Sequence, residues 1–159
     1  MKLNGCEVDF VISQYLFKEA KGTVTLLGYL CSDTLKDTPK GHLYTYFMCA
    51  EMLPADEDSK ESVVYVQGKI AKRGRLVTQT NGSQLMSIVV RSRSDDGHTS
   101  ILHMVARDKL ARYISSIDEI EGLNVLAEGK LQAKHKSVEL NISGIRINGK
   151  EVVYSAGQV

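Results

Sequence analysis

A chain of 159 residues suffices for one domain with a sizeable core, and 43% apolar with 25% charged residues excludes a disordered or collagenous protein. No apolar run approaches the roughly 20 residues that cross a bilayer, and MKLNGCEVDF has acids where a secretory signal needs an apolar stretch, so a cytoplasmic protein is expected. The net charge is only +1, but residues 1–62 carry six Lys, no Arg and ten acids (−4), whereas residues 63–159 carry seven Lys, seven Arg and nine acids (+5).

Stretches rich in β-branched and apolar residues recur along the chain, separated by turn residues, and predict strands. In chain order they are 6–17, 22–31, 42–52, 62–73, 84–93, 99–106, 123–134 and 137–147. Turn chemistry stands between them at Pro39-Lys40-Gly41, Asn81-Gly82, Asp95-Asp96-Gly97 and Glu121-Gly122. The polar run PADEDSK, 54–60, reads as a surface loop. Over 108–120 the period changes: Leu110, Tyr113, Ile114 and Ile117 fall at helical spacing, with Gly122 placed to stop the helix.

Three strands, a helix and two strands over 63–147 give the order of a five-stranded Greek-key barrel. Gly28, Gly68 and Gly129 fall inside predicted strands, as sharp bends at the corners of a small barrel require. A phrase also repeats: VTLLGYL at 24–30, VYVQGKI at 64–70 and VLAEGKL at 125–131. Residues 22–52 are therefore either an extra hairpin added to the barrel or its own opening hairpin. The first is preferred, because 63–147 already holds a full set of elements. The expected division is a β extension at 1–62, the barrel at 63–147 and a short C-terminal segment at 148–159.

Three phrases, VVYVQGKI, HMVARDKLARYI and NVLAEGKL, resemble in order and spacing the bacterial single-stranded DNA-binding (SSB) protein family, over about half the chain. The resemblance implies an all-β protein built on an OB-fold barrel, with one short helix and here an extra N-terminal hairpin. It implies stacking of bases on aromatic side chains along a basic groove, and assembly into a dimer or tetramer. The chain departs from that pattern in having no Trp, Ile101 where the family places an aromatic, and only Tyr65, Tyr113 and Tyr154 as aromatics after residue 62. The other aromatics, Phe10, Tyr15, Phe17, Tyr29, Tyr44, Tyr46 and Phe47, precede it. In its poverty of aromatics, and in ending without an acidic tip, it is similar to the primosomal replication protein N (PriB-type) relatives. Recruitment of partner enzymes through such a tip is accordingly not expected.

The candidate binding residues are mostly cations. Lys69, Lys72, Arg73 and Arg75 form a cluster where the first barrel strand ends. Arg91 and Arg93 alternate and so share a face. Arg107 ends the third strand, and Lys130, Lys134, His135 and Lys136 belong to the last hairpin, which contacts ligand in OB folds. Convergence of these groups would form a groove tracking phosphates, with Tyr44, Tyr46 and Tyr65 as stacking surfaces. Tyr113 is expected in the core and His103 to be structural, with His42 and His98 beside turns. The acids at 56–58 lack the pattern of a calcium loop.

Cys6, Cys31 and Cys49 are too scattered for a disulfide framework or a zinc site. No catalytic motif is present, so no cofactor and no enzymatic activity are expected. The expected activity is single-stranded DNA binding without strong sequence preference, in replication, recombination or repair, with RNA also open as a ligand. The competing expectation is an OB-fold module that docks on a primosomal or conjugation protein.

Overall fold

The computed structural model describes residues 2–3, 6–7, 9–11, 13–14, 18, 24–34, 43–54, 63–95, 97–134 and 137–155. Its strands are β1 Lys2–Leu3, β2 Cys6–Glu7, β3 Asp9–Val11, β4 Val24–Thr34, β5 Leu43–Pro54, β6 Val64–Arg73, β7 Val77–Thr78, β8 Gln84–Arg93, β9 Thr99–Arg107, β10 Asn124–Lys134, β11 Ser137–Ile147 and β12 Val153–Tyr154. A helix, α1, spans Asp108–Ser115 between β9 and β10.

Strand alternation builds the barrel. In β6, Val66 and Ile70 point inward while Tyr65, Gln67 and Lys69 point outward; in β8, Met86, Ile88 and Val90 are inside and Arg91 and Arg93 outside. β6, β8 and β9 form an antiparallel meander, and β10 returns to pair with β6. β11 then pairs antiparallel with β10 and parallel with β9, which closes the sheet on itself. Leu110, Ala111 and Ile114 of α1 plug the core of apolar side chains that the strands enclose. This is the expected OB-fold topology. Gly68 and Gly129 permit its close crossings, since a Cβ at either would collide with the carbonyl of Arg91 or Asn141.

The hairpin over 22–52 is additional to the barrel. β4 and β5 pair with each other, and β3 adds parallel to β5 in a separate three-stranded sheet. Its attachment is specific. The first part of β9 has no strand partner on the side away from β8, and Ser32 of β4 covers it. The Ile101 N–H donates to the Ser32 hydroxyl (2.6 Å), while the Ser32 N–H donates to the Ser100 hydroxyl (3.2 Å), with both serines buried. Leu30 and Phe47 pack against the barrel core beside them. At the margin, His98 Nε2 lies 3.8 Å from Asp33 Oδ1, an ion pair when the imidazole is protonated.

Four expectations change. The helix ends at Ser115 rather than 120. Beyond it, Ile117 and Ile120 still pack inward without helical backbone, and the Arg73 guanidinium donates to the carbonyls of Ile114 (3.0 Å), Ser115 (3.4 Å) and Ile117. Gly122, at φ +86°, does not stop the helix. Its N–H donates to the Ile70 carbonyl (2.7 Å), and the Ile70 N–H donates to Leu123 (3.0 Å), which seats this turn on β6. Of the strand expected over 6–17, the described residues show β2 and β3 with Gln14 helical, and residues 8, 12 and 15–17 lie outside the described residues. The C-terminal segment contributes β12, which pairs with Gly144 and Ile145 of β11.

Among the remaining expectations, Gly82 and Gly97 adopt the positive φ that their turns require, and Tyr113 packs against the core. Cys31 and Cys49 are buried. His103, expected to be structural, instead points outward opposite Val89. The loop at 55–60, the turn at 39–41, Asp96 and His42 lie outside the described residues.

Two substitutions test these joints. Arg73→Met removes charge-assisted bonds to three carbonyls and should lower unfolding stability by about 1.5–3 kcal/mol in urea titration. Arg75→Met, at an exposed position, should change it by less than about 0.5 kcal/mol. Ser32→Ala strips the acceptor from the Ile101 N–H at a cost of about 1–3 kcal/mol. It should speed hydrogen exchange in β4 and at the Ile101 amide of β9 while sparing the other barrel strands.

Candidate nucleic-acid interface

The cations sort themselves by strand phase. Lys69 and Arg91 are directly opposed partners on the outer face of β6 and β8, and Arg93 follows Arg91 two residues on. Opposed positions on one face bring their Cβ atoms within about 4.5–5.5 Å, where like charges destabilise a sheet unless an anion offsets them. Arg146 joins the group from β11. It is exposed, its partner Leu126 is in register with Gln67, and these residues share the face of Lys69.

These side chains line a groove of about 1200 Å³ whose far wall is the β4 hairpin. Tyr29, Leu30 and Cys31 enter it from β4; Tyr65, Gln67 and Lys69 enter from β6; Arg91 and Arg93 from β8; Asn124 and Leu126 from β10; and Arg146 from β11. Among the described residues that line it, Asp95 is the one acid, against four cations. Tyr65 is 67% exposed, so its ring is available to a ligand.

A β-bulge explains why the basic cluster at 69–75 does not act together. The register between β6 and β8 slips between Ile70 and Lys72, so Lys72 opposes Val89 on the outer face and Arg73 opposes Ile88 on the inner one. Uninterrupted alternation would have left Arg73 outside with Lys69. The slip turns it inward to the end of α1, and its guanidinium is spent on carbonyls. Lys72 remains on the outer face just past the groove, and Arg75 is exposed beyond the end of β6.

Other expected binding residues are placed elsewhere. Arg107 is half-buried at the start of α1, at the opposite end of β9 from Thr99, which opposes Arg93. Lys130 is exposed on β10 opposite Asn141, away from the groove. Tyr46 is not a stacking surface: it is 9% exposed and its hydroxyl donates to Asp33 Oδ2 at 2.9 Å. Tyr44 and Lys134 contribute backbone to β5 and β10, but their side chains, and all of His135 and Lys136, lie outside the described residues.

Tyr29 and Arg146 were not among the sequence candidates, although both left a signal. Arg146 is the polar centre of an Ile-Arg-Ile alternation and so must face outward. Tyr29 follows Gly28 in the first copy of the repeated phrase just as Lys69 follows Gly68 in the second.

No protein-family model matches the chain, and no curated protein matches it in sequence. Solved structures do match. The single-stranded DNA-binding protein of Thermus aquaticus superposes with a TM-score of 0.67 at 13% identity, covering 84% of this chain and 63% of that one. A deletion mutant of the same protein gives 0.68 at 12% identity, with coverages of 85% and 63%. The second single-stranded DNA-binding protein of Mycobacterium smegmatis gives 0.48 at 20% identity over 55% of this chain and 88% of that one. The chain thus spans less than two thirds of the Thermus aquaticus protein. Since β6 to β11 make up only about half of this chain, that match takes in the hairpin sheet as well as the barrel. The barrel is an OB fold, matching the Thermus aquaticus single-stranded DNA-binding protein in fold, with the hairpin sheet beside it.

Proposed function

We propose that the protein binds single-stranded nucleic acid, without strong sequence preference, along the outer face of its barrel, in DNA replication, recombination or repair. The observation that carries this reading is the gathering of Lys69, Arg91, Arg93 and Arg146 around the exposed ring of Tyr65. The cations come from three strands of the barrel, β6, β8 and β11, and face one groove, as a polyanion with regularly spaced phosphates requires. Arg side chains serve twice, since their planes also stack on bases. Stacking on Tyr65 is indifferent to base identity because every base has a π-face. The Thermus aquaticus protein is by name a single-stranded DNA binder, which supports the same reading.

Fluorescence anisotropy with labelled oligo-dT over a range of salt concentrations tests it, with oligo-U and duplex in parallel. Four phosphate contacts predict that log K falls against log salt with a slope of about −3, given about −0.7 per contact on single strands. Arg91→Ala should make the slope shallower by about 0.7. Tyr65→Ala should weaken binding by roughly 5- to 150-fold, equivalent to about 1–3 kcal/mol of stacking, and leave the slope unchanged. Arg107→Ala and Lys130→Ala, outside the groove, should bind as the parent does. Absence of binding at low salt, or binding indifferent to salt, overturns the proposal.

A further inference from the structure

The hairpin sheet repeats the barrel's opening hairpin with different chemistry. A Cβ at Gly28 would collide with the Met48 carbonyl, as one at Gly68 would with the Arg91 carbonyl. The next residue in each first strand then opposes that carbonyl's owner: Tyr29 pairs with Met48, and Lys69 pairs with Arg91. Where the barrel presents two cations, the hairpin presents an aromatic ring and a thioether. Val11 of β3 opposes Met48 from the other side, so Tyr29, Met48 and Val11 form one row across three strands. Their exposures are 61%, 39% and 51%.

This row meets the basic groove at Tyr29, which lines it together with Lys69 and Arg91, and Met48 and Val11 continue the row beyond the groove's edge. β4 and β5 contain no Lys or Arg, so the hairpin has no cation there with which to hold a phosphate. An apolar row continuous with a cationic wall complements a chain having phosphates on one side and bases on the other. A second folded protein has no comparable need for both walls. The placement of Tyr29 is also fixed in advance, since Ser32, three residues on, is locked to Ser100 and Ile101.

We infer that the hairpin is the second wall of the nucleic-acid site: Tyr29 stacks an unpaired base while the barrel cations hold the adjacent phosphates, and Met48 and Val11 receive the next base. This rests on the proposed binding along the barrel, and it restricts the ligand to strands whose bases are free to splay outward. A duplex, with its bases stacked internally, cannot use the hairpin wall.

The test compares hairpin and barrel variants in the oligo-dT titration, with sedimentation velocity and thermal melting on each. Tyr29→Ala should weaken binding roughly 5- to 150-fold without altering the salt slope. Tyr29→Phe, which keeps the ring, should bind nearly as the parent does. Met48→Glu, placing a carboxylate beside Tyr29, should also weaken binding, and its exposed position leaves folding intact. Oligonucleotides carrying 5-iododeoxyuridine should photo-crosslink to the peptide containing Tyr29. If Tyr29→Ala and Met48→Glu bind normally while Tyr65→Ala and Arg91→Ala lose affinity, the hairpin is outside the site and only this inference fails. If the hairpin variants change the sedimentation coefficient but not affinity, the row is a contact between copies and the inference is likewise overturned. If the parent chain itself does not bind, both readings fall.

Discussion

The molecule depends on β11 pairing with two strands at once. One edge takes β10 as an antiparallel hairpin and the other meets β9 in parallel at Met104 and Val105. That double pairing closes the sheet, which removes the free edges of an open sheet and gives every strand an inside and an outside. Ile88, Val90, Ile145 and Ile147 go inward, and Arg91, Arg93 and Arg146 are left outward by the same alternation. Because β11 meets only the later part of β9, the earlier part keeps an unpaired edge. The hairpin fills that gap through Ser32, and the groove is the space left between the hairpin and the cationic face.

A second constraint is the bulge at Ile70–Lys72. It changes the phase of β6 in mid-strand, so one run of cations serves two purposes. Lys69 stays with the groove, while Arg73 reaches the end of α1. There it supplies donors to carbonyls that a helix leaves unpaired. The bulge also frees Ile70 to exchange hydrogen bonds with the 120–123 turn, so the strand, the helix end and the turn are fixed together.

The fold was legible because alternation, turn glycines and the strand–helix order are local features that survive in a single sequence. The repeated phrase around Gly28 and Gly68 leaves open whether 22–52 opens the barrel or is added to it, and the full set of elements over 63–147 favours the added hairpin. The site was legible only in part. Lys69, Arg91, Arg93 and Tyr65 lie at outward phases of uninterrupted alternation, so their place on the outer face is readable from the sequence. Arg73 was misplaced because a bulge is one extra residue and has no strong composition signal. Tyr46 reads as an outward tyrosine until the hairpin docks and Asp33 takes its hydroxyl. Arg107 and Lys130 are outward cations whose distance from the groove follows only from barrel closure. The helix was drawn too long because Ile117 and Ile120 keep helical spacing while their backbone, held by Arg73 and Gly122, does not.

The account stands on a spatial claim, that a single strand occupies the face between β6–β8 and the hairpin. The most direct measurement is an amide chemical-shift map of the isotope-labelled protein titrated with oligo-dT at low salt. The account predicts the largest shifts at Tyr29, Gly68, Lys69, Arg91, Arg93 and Arg146, with little change in α1 or at Arg107. Shifts centred on α1 and Arg107, or the absence of any saturable shift, would contradict it.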